Sequence, residues 1–264
     1  MQKRRQSRVN TINLTYEDRV ARIELNRPES INSMNVEMLQ ELSEALEEVK
    51  NSTADVLVLS GSGKGFSSGG DIKTMLSNMD PKAFSPVMKL ISGIAVTLYT
   101  FPKLTISAIH GPAAGLGFSL ALACDYVIAH QTATLSMNFI GIGLIPDGGG
   151  HFFLARRLGE IKARRLIWNG ERLTAESAYD MGLVDRLVRN DLKAEVKGKI
   201  EEWLEKPVKA LIQTKLIYAN QYKSVLESML AKEHDGQFSM RQTADHQEGI
   251  KAFMEKRQPR FTGK

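Results

Sequence analysis

Cysteine is nearly absent from this 264-residue chain: Cys124 is the only one, and it lies inside an apolar run. A single thiol excludes an internal disulfide framework and a zinc cluster built on cysteines. Histidine is scarce as well. His110, His130, His151, His234 and His246 show no H-x-x-x-H or other tight ligand spacing, so they read as surface or loop residues and no metal site is expected. No uninterrupted apolar run is long enough to span a membrane. The best stretch, Ala113 to Ala129, carries Ser119 and Asp125. The N-terminus lacks the apolar core of a signal peptide, which makes the cytoplasm the expected location. Basic residues are scattered, with Lys3-Arg4-Arg5 the densest run, and no basic stripe carries base-stacking aromatics. Nucleic acid is therefore not an expected partner.

What is present fits a globular protein with a sizeable core: 42% hydrophobic and 25% charged residues. The net charge of +5 suits an anionic ligand. Val20 to Leu25 alternates like a half-buried strand and ends at Asn26-Arg27-Pro28. Asn35 to Val49 repeats apolar residues at helical spacing. Val56 to Leu59, Leu104 to Ile109 and Tyr126 to Ala129 read as further strands, and Ala113 to Cys124 as a buried helix. This alternation predicts an α/β fold. Beyond about Arg186 the pattern turns helical, over Leu192–Leu204, Pro207–Asn220, Tyr222–His234 and Asp245–Lys256. The chain thus divides into an α/β core, residues 1–206, and a helical C-terminal region, residues 207–264.

Three short patterns fail on spacing. "GSGKG" at Gly61 to Gly65 has Val58 and Gly65 where a phosphate loop needs a glycine and a hydroxyl residue. "GLGFSL" from Gly115 has Leu120 where a dinucleotide fingerprint needs its third glycine. "GFSSG" from Gly65 matches the nucleophile elbow, but the glycines continue to Gly70 where a helix should begin. Two longer loops are more informative. "FSSGGDIK", Phe66 to Lys73, and "HGPAAGLGFSL", His110 to Leu120, each follow a strand and lead toward a helix. On spacing alone the pair reads first as two ordinary strand-to-helix turns. The alternative is an oxyanion hole, with two N–H groups aimed at one point.

Taken in order, "ARIELNRPESINSMN", "KGFSSGGDIKTM", "AIHGPAAGLGFSLALACDYVIA", "GIGLIPDGGG", "NGERLTAESAYDMGLVDRLV" and "EGIKAFMEKRQPRF" resemble the enoyl-CoA hydratase/isomerase, or crotonase, superfamily nearly end to end. The resemblance implies a spiral of β-β-α units followed by helices that build a trimer or a dimer of trimers. It implies an acyl-CoA thioester substrate, with coenzyme A as part of that substrate and no separate cofactor. It places the oxyanion hole at the Gly70 and Leu116 N–H groups. It assigns contacts with the CoA arm to Ser68, Gly70, Asp71, Ile72 and Lys73, and the nucleotide end to Asn32 through Met34. The acyl group taken depends on the stretch from Met75 to Thr100.

One departure matters most. The two glutamates that hydratases of this superfamily use fall at Ser119 and Phe139, and neither residue exchanges protons as a carboxylate does. Asp147 lies eight residues beyond Phe139, where several branches of the family carry their only acid. "GLIPD" is most similar to the phenylacetate-type isomerases, with the peroxisomal-type isomerases placing a glutamate there. On its own, Pro-Asp-Gly is turn chemistry. With the resemblance, Asp147 becomes the expected acid/base of a double-bond isomerase, with Phe139 as an apolar wall that keeps water out. The alternatives are an enoyl-CoA hydratase, a dehalogenase whose histidine has no counterpart in "MKLISGIAVTLY", and a non-catalytic acyl-CoA- or RNA-binding member.

Overall fold

The computed structural model describes residues 7–8, 11–71 and 81–264. Its main sheet has seven strands in the order β1-β2-β3-β4-β5-β7-β10. These are β1 (Ser7–Arg8), β2 (Ile12–Glu17), β3 (Val20–Leu25), β4 (Val56–Gly61), β5 (Leu104–Ile109), β7 (Tyr126–His130) and β10 (Arg186–Val188). β1, β2 and β3 pair antiparallel, and from β3 onward every pairing is parallel. A second sheet joins β6 (Pro112–Ala114), β8 (Thr134–Ser136) and β9 (Arg172–Thr174).

The parallel strands are covered on both faces, as parallel sheets usually are. All six residues of β5 are buried. Leu104, Ile106 and Ala108 join Val56, Val58 and Ile128 on one face, against Val196 and Ile200 of α7 (Leu192–Leu204). Leu57, Leu59, Ile109 and Val127 face the larger core. That core is closed by α1 (Val36–Lys50), α2 (Pro81–Tyr99), α3 (Leu116–Leu122) and α4 (Gly150–Leu158). Asn35 caps α1 by accepting from the Met38 N–H at 2.9 Å, and Met38, Leu39, Leu42, Leu46 and Val49 form its buried stripe.

Two elements depart from the sequence reading. Ala113 belongs to β6, and helix α3 begins only at Leu116, after Gly115 turns the chain at φ 51° and ψ −125°. The C-terminal region holds one continuous helix, α8 (Val208–Met240), where the sequence suggested two. Asn220 and Gln221 are polar but do not break a helix, and the stripe through Ala219, Leu226 and Leu230 carries it through. The remaining helices are α5 (Glu160–Asn169), α6 (Ala175–Asp180) and α9 (Ala244–Glu255). No helix among the described residues is long and apolar enough to cross a membrane.

Candidate active site

The first glycine-rich loop is held as an extended strand between two partners. On one side Ser67 donates its N–H to Pro112 O at 3.0 Å and accepts from the Ala114 N–H at 2.9 Å. On the other, Gly69 O accepts from the Met34 N–H at 2.8 Å, and the Asp71 N–H donates to Met34 O at 3.0 Å. In such a parallel bridge the residue between the two bonds points its own N–H the opposite way. Gly70 is that residue, so its N–H faces away from Met34. β6 has already ended at Ala114, so the region beside Gly70 is the turn into α3. There Leu116 supplies a first-turn N–H, which has no partner within its own helix. The two loops approach closely: a Cβ on Gly69, where φ is 95°, would lie 2.7 Å from Ala114 O and 3.5 Å from Leu116 N. Gly70 and Leu116 both line one cavity of about 300 Å³.

The rest of the wall is mostly apolar. Phe84, Val87 and Met88 come from α2, Phe139 and Leu144 from the segment before α4, and Phe253 from α9. The Phe139 ring covers the turn at Gly115, with Cζ 3.4 Å from where a Cβ would stand. Asp147, Gln237 and Arg241 are polar side chains at this wall, with Ser136 and Asn138 also lining the cavity, and Ser68 and Asp71 line it from the other loop. Of the residues expected at the site, Asp147, Gly70, Leu116, Ser68, Asp71 and Phe139 therefore meet at one cavity. Ile72 and Lys73 lie outside the described residues, as do residues 75–80 of the acyl-selecting stretch.

Asn32 and Met34 do not form part of the wall. Both are fully buried. Asn32, at φ 53°, donates its side-chain amide to Ser62 O and Gly65 O at 2.9 Å and accepts from the Arg27 N–H. Its side chain is engaged in holding the first loop. The Asp71 carboxylate is likewise engaged: Arg27 Nη1 lies 3.0 Å from Oδ2, and the Ser33 hydroxyl donates to the same oxygen at 3.3 Å. The Ser67 hydroxyl donates to Asn32 O and accepts from the Gly69 N–H, so neither it nor the pattern around it forms a nucleophile elbow.

Asp147 differs from an ordinary turn residue. A turn aspartate accepts from the backbone N–H two residues on. Here the Gly149 N–H is taken by Glu233 Oε2 at 2.8 Å, and the Gly150 N–H by the backbone oxygen of Asp147. Oδ1 of Asp147 is shut off from solvent and has no hydrogen-bond partner among the described residues. The residue as a whole is half-buried and lines the cavity. Burial raises its pKa to about 7, the negative charge of Glu233 adds to the rise, and Arg241 and the residue's own backbone N–H oppose it. Ser119 lies directly behind this turn, donating its hydroxyl to the Asp147 backbone oxygen at 2.8 Å.

The sequence reading did not single out Glu233, Gln237, Arg241 or His151. Glu233 also accepts from the His151 N–H at 3.1 Å and lies 2.8 Å from His151 Nδ1. Gln237 donates to Ile145 O. A signal did exist. The buried stripe of α8 continues from Leu226 and Leu230 into Glu233 and Gln237, which are 2% and 3% exposed. Polar residues that extend an apolar stripe mark a buried polar task.

Residues 15–264 match the family model described as enoyl-CoA hydratase/isomerase. This chain belongs to the enoyl-CoA hydratase/isomerase family. A Bacillus subtilis (strain 168) protein carrying the same family name is 50% identical over 92% of this chain and 95% of its own length. The 1,2-epoxyphenylacetyl-CoA isomerase of Escherichia coli K12 is 36% identical, covering 93% and 95%. Among solved structures, an enoyl-CoA hydratase from Mycobacterium avium subsp. paratuberculosis K-10 superposes with a TM-score of 0.88 at 33% identity, covering 97% of this chain and 100% of that one. The chain has the crotonase fold, with its helical C-terminal region in place. It is an enzyme of a family whose members include both hydratases and isomerases.

Proposed function

We propose that this enzyme moves a carbon–carbon double bond in an acyl-CoA thioester. The Gly70 and Leu116 N–H groups hold the thioester oxygen. Asp147 removes a proton from C2, the charge passes to the thioester oxygen as an enolate, and the same carboxyl returns the proton at C4. The double bond moves from the 3,4 to the 2,3 position with no gain or loss of atoms. An oxyanion hole contributes by meeting charge that is present only after proton removal.

The observation that carries this reading is the Asp147 carboxyl: Oδ1 is buried and unbonded at the wall of the cavity that both glycine loops line. A pKa near 7 suits a group that must both accept and return a proton. The apolar wall around Phe139 keeps water from competing for the enolate. The likeness to an isomerase of epoxyphenylacetyl-CoA supports isomerase chemistry. So do Ser119 and Phe139, since the first is occupied in holding the Asp147 turn and the second is apolar. Family membership and the exposed apolar residues of α8, among them Ile217 and Tyr218, support self-association as a trimer or a dimer of trimers.

The test is a paired assay on the purified enzyme. A 3-enoyl-CoA is expected to convert to the conjugated 2-enoyl-CoA, with little water added to crotonyl-CoA. Rapid hydration without isomerisation would make the enzyme a hydratase instead. Binding of either ester, measured by calorimetry, with turnover of neither would make it a binding protein.

A further inference from the structure

Helix α8 and its C-cap residue send three polar side chains toward the Asp147 turn at four-residue spacing: Glu233, Gln237 and, as the cap, Arg241. Residues so spaced share one helical face. They do different things there. Glu233 accepts from the backbone N–H groups of Gly149 and His151 at the start of α4. Gln237 donates to Ile145 O, two residues before Asp147. The turn is thus held on both sides of Asp147 by one rigid element. Arg241 lies at the cavity wall, where its charge acts on the Asp147 carboxylate and its guanidinium stacks on Phe84, 4.8 Å from the ring centroid.

The donors that Glu233 occupies are those that a carboxylate at position 147 would otherwise take. Gly149 has no side chain to cap α4, and the nearest acid along the chain is Asp147 itself. A short acid beside unpaired helix-start N–H groups turns in to cap them. With Glu233 in place that option is closed.

We propose that Glu233 is a positioning residue for Asp147: by capping α4 from another helix it keeps the Asp147 carboxyl off the Gly149 and His151 N–H groups and at the cavity wall. Gln237 fixes the turn's other end, and Arg241 supplies the opposing charge. The inference rests on the reading of Asp147 as the proton-transfer group. The titratable and charged groups around Asp147 are Glu233 on α8, Arg241 at its C-cap, His151 on α4, and Asp71 across the cavity. His246 on α9 lies within reach of Arg241. From α3 and α2 the turn meets Leu116, Ser119 and Ile91.

The experiment follows the Asp147 carboxyl directly by carbon NMR on protein labelled at aspartate, with its signal assigned by its loss in Asp147→Asn. Glu233→Ala, Glu233→Gln and Arg241→Met are compared with the wild type, alongside kcat and KM for a 3-enoyl-CoA. In Glu233→Ala the titration midpoint is expected to fall by about two pH units, since the carboxylate gains backbone donors and loses a like charge. kcat falls about 10- to 100-fold as the carboxyl leaves its place, while KM stays within about threefold. Glu233→Gln keeps an acceptor and loses the charge, so its midpoint falls by about one unit and part of kcat returns. Arg241→Met raises the midpoint. Unmoved midpoints and unchanged kcat in folded Glu233 variants would reduce Glu233 to a helix cap and overturn the proposal. Should neither Glu233 variant fold, an unmoved midpoint in Arg241→Met would overturn it. If Asp147→Asn retains isomerase activity, the proton-transfer reading fails while the midpoints still judge the positioning.

Discussion

Under the proposed function Asp147 carries the chemistry, and its surroundings fix when it can act. As a base it must be ionised, so isomerase kcat/KM is expected to rise with pH through about 7, the value to which burial and Glu233 push its pKa. A pH–rate profile checks this; a profile already flat from pH 5 would contradict it. The same shift has a cost in stability. Between about pH 4 and 7 the folded protein holds the Asp147 proton more tightly than the unfolded chain does. Stability is therefore lost as pH rises through that window, and the loss is complete above 7. Asp147→Asn removes the charge, so that variant should be more stable than wild type at pH 8, by about 2–4 kcal/mol after allowing for the residue's opening to the cavity. The gain should vanish near pH 4. Thermal melts at the two pH values test it. At this scale the sequence was legible only in part. Asp147 stood out because Ser119 and Phe139 occupy the two glutamate positions. Glu233 did not, because it lies 86 residues downstream and meets Asp147 only when α8 folds across the turn.

At the scale of elements, the site depends on two loops held edge to edge. Gly69 has φ 95° and leaves no room for a side chain against Ala114 O. Gly69→Ala is expected to push the loops apart, lowering isomerase kcat at least about tenfold and stability by about 1–3 kcal/mol. Parallel kinetics and urea unfolding measure both; unchanged kcat would show that the loop spacing does not matter. β3 and β5 were read from the sequence with the bounds they have, because apolar residues recur at every second position in VARIEL and LTISAI and leave little choice of register. Ala113 and Ala114 of β6 were taken as the start of a helix, since both are small and apolar and the strand character of β6 comes from pairing with β8 and Ser67. Local sequence does not contain those partners.

For the whole molecule, the long helix α8 links the site to the surface. Its buried stripe ends at Asp147, while Ile217 and Tyr218 stand 68% and 61% exposed. Large apolar residues exposed on one helix suit an interface with another copy. Sedimentation should therefore give three or six times the chain mass, and Ile217→Lys should shift it toward the monomer. A wild-type monomer would contradict the proposed assembly. The sequence motifs ran in family order across nearly the whole chain, which is why the fold was legible before any coordinate. The cavity was less so, because Phe84, Val87, Met88 and Phe253 converge from α2 and α9, which lie far apart in the sequence.

The most direct test of the central claim is the conversion of a 3-enoyl-CoA to its 2-enoyl isomer by wild type and by Asp147→Asn, with CoA-ester binding measured on both. The expected result is a loss of at least about 10³-fold in kcat with ester affinity preserved, since the oxyanion donors are backbone groups that the substitution leaves in place. Isomerisation at the wild-type rate in Asp147→Asn would contradict the account and return Asp147 to its turn.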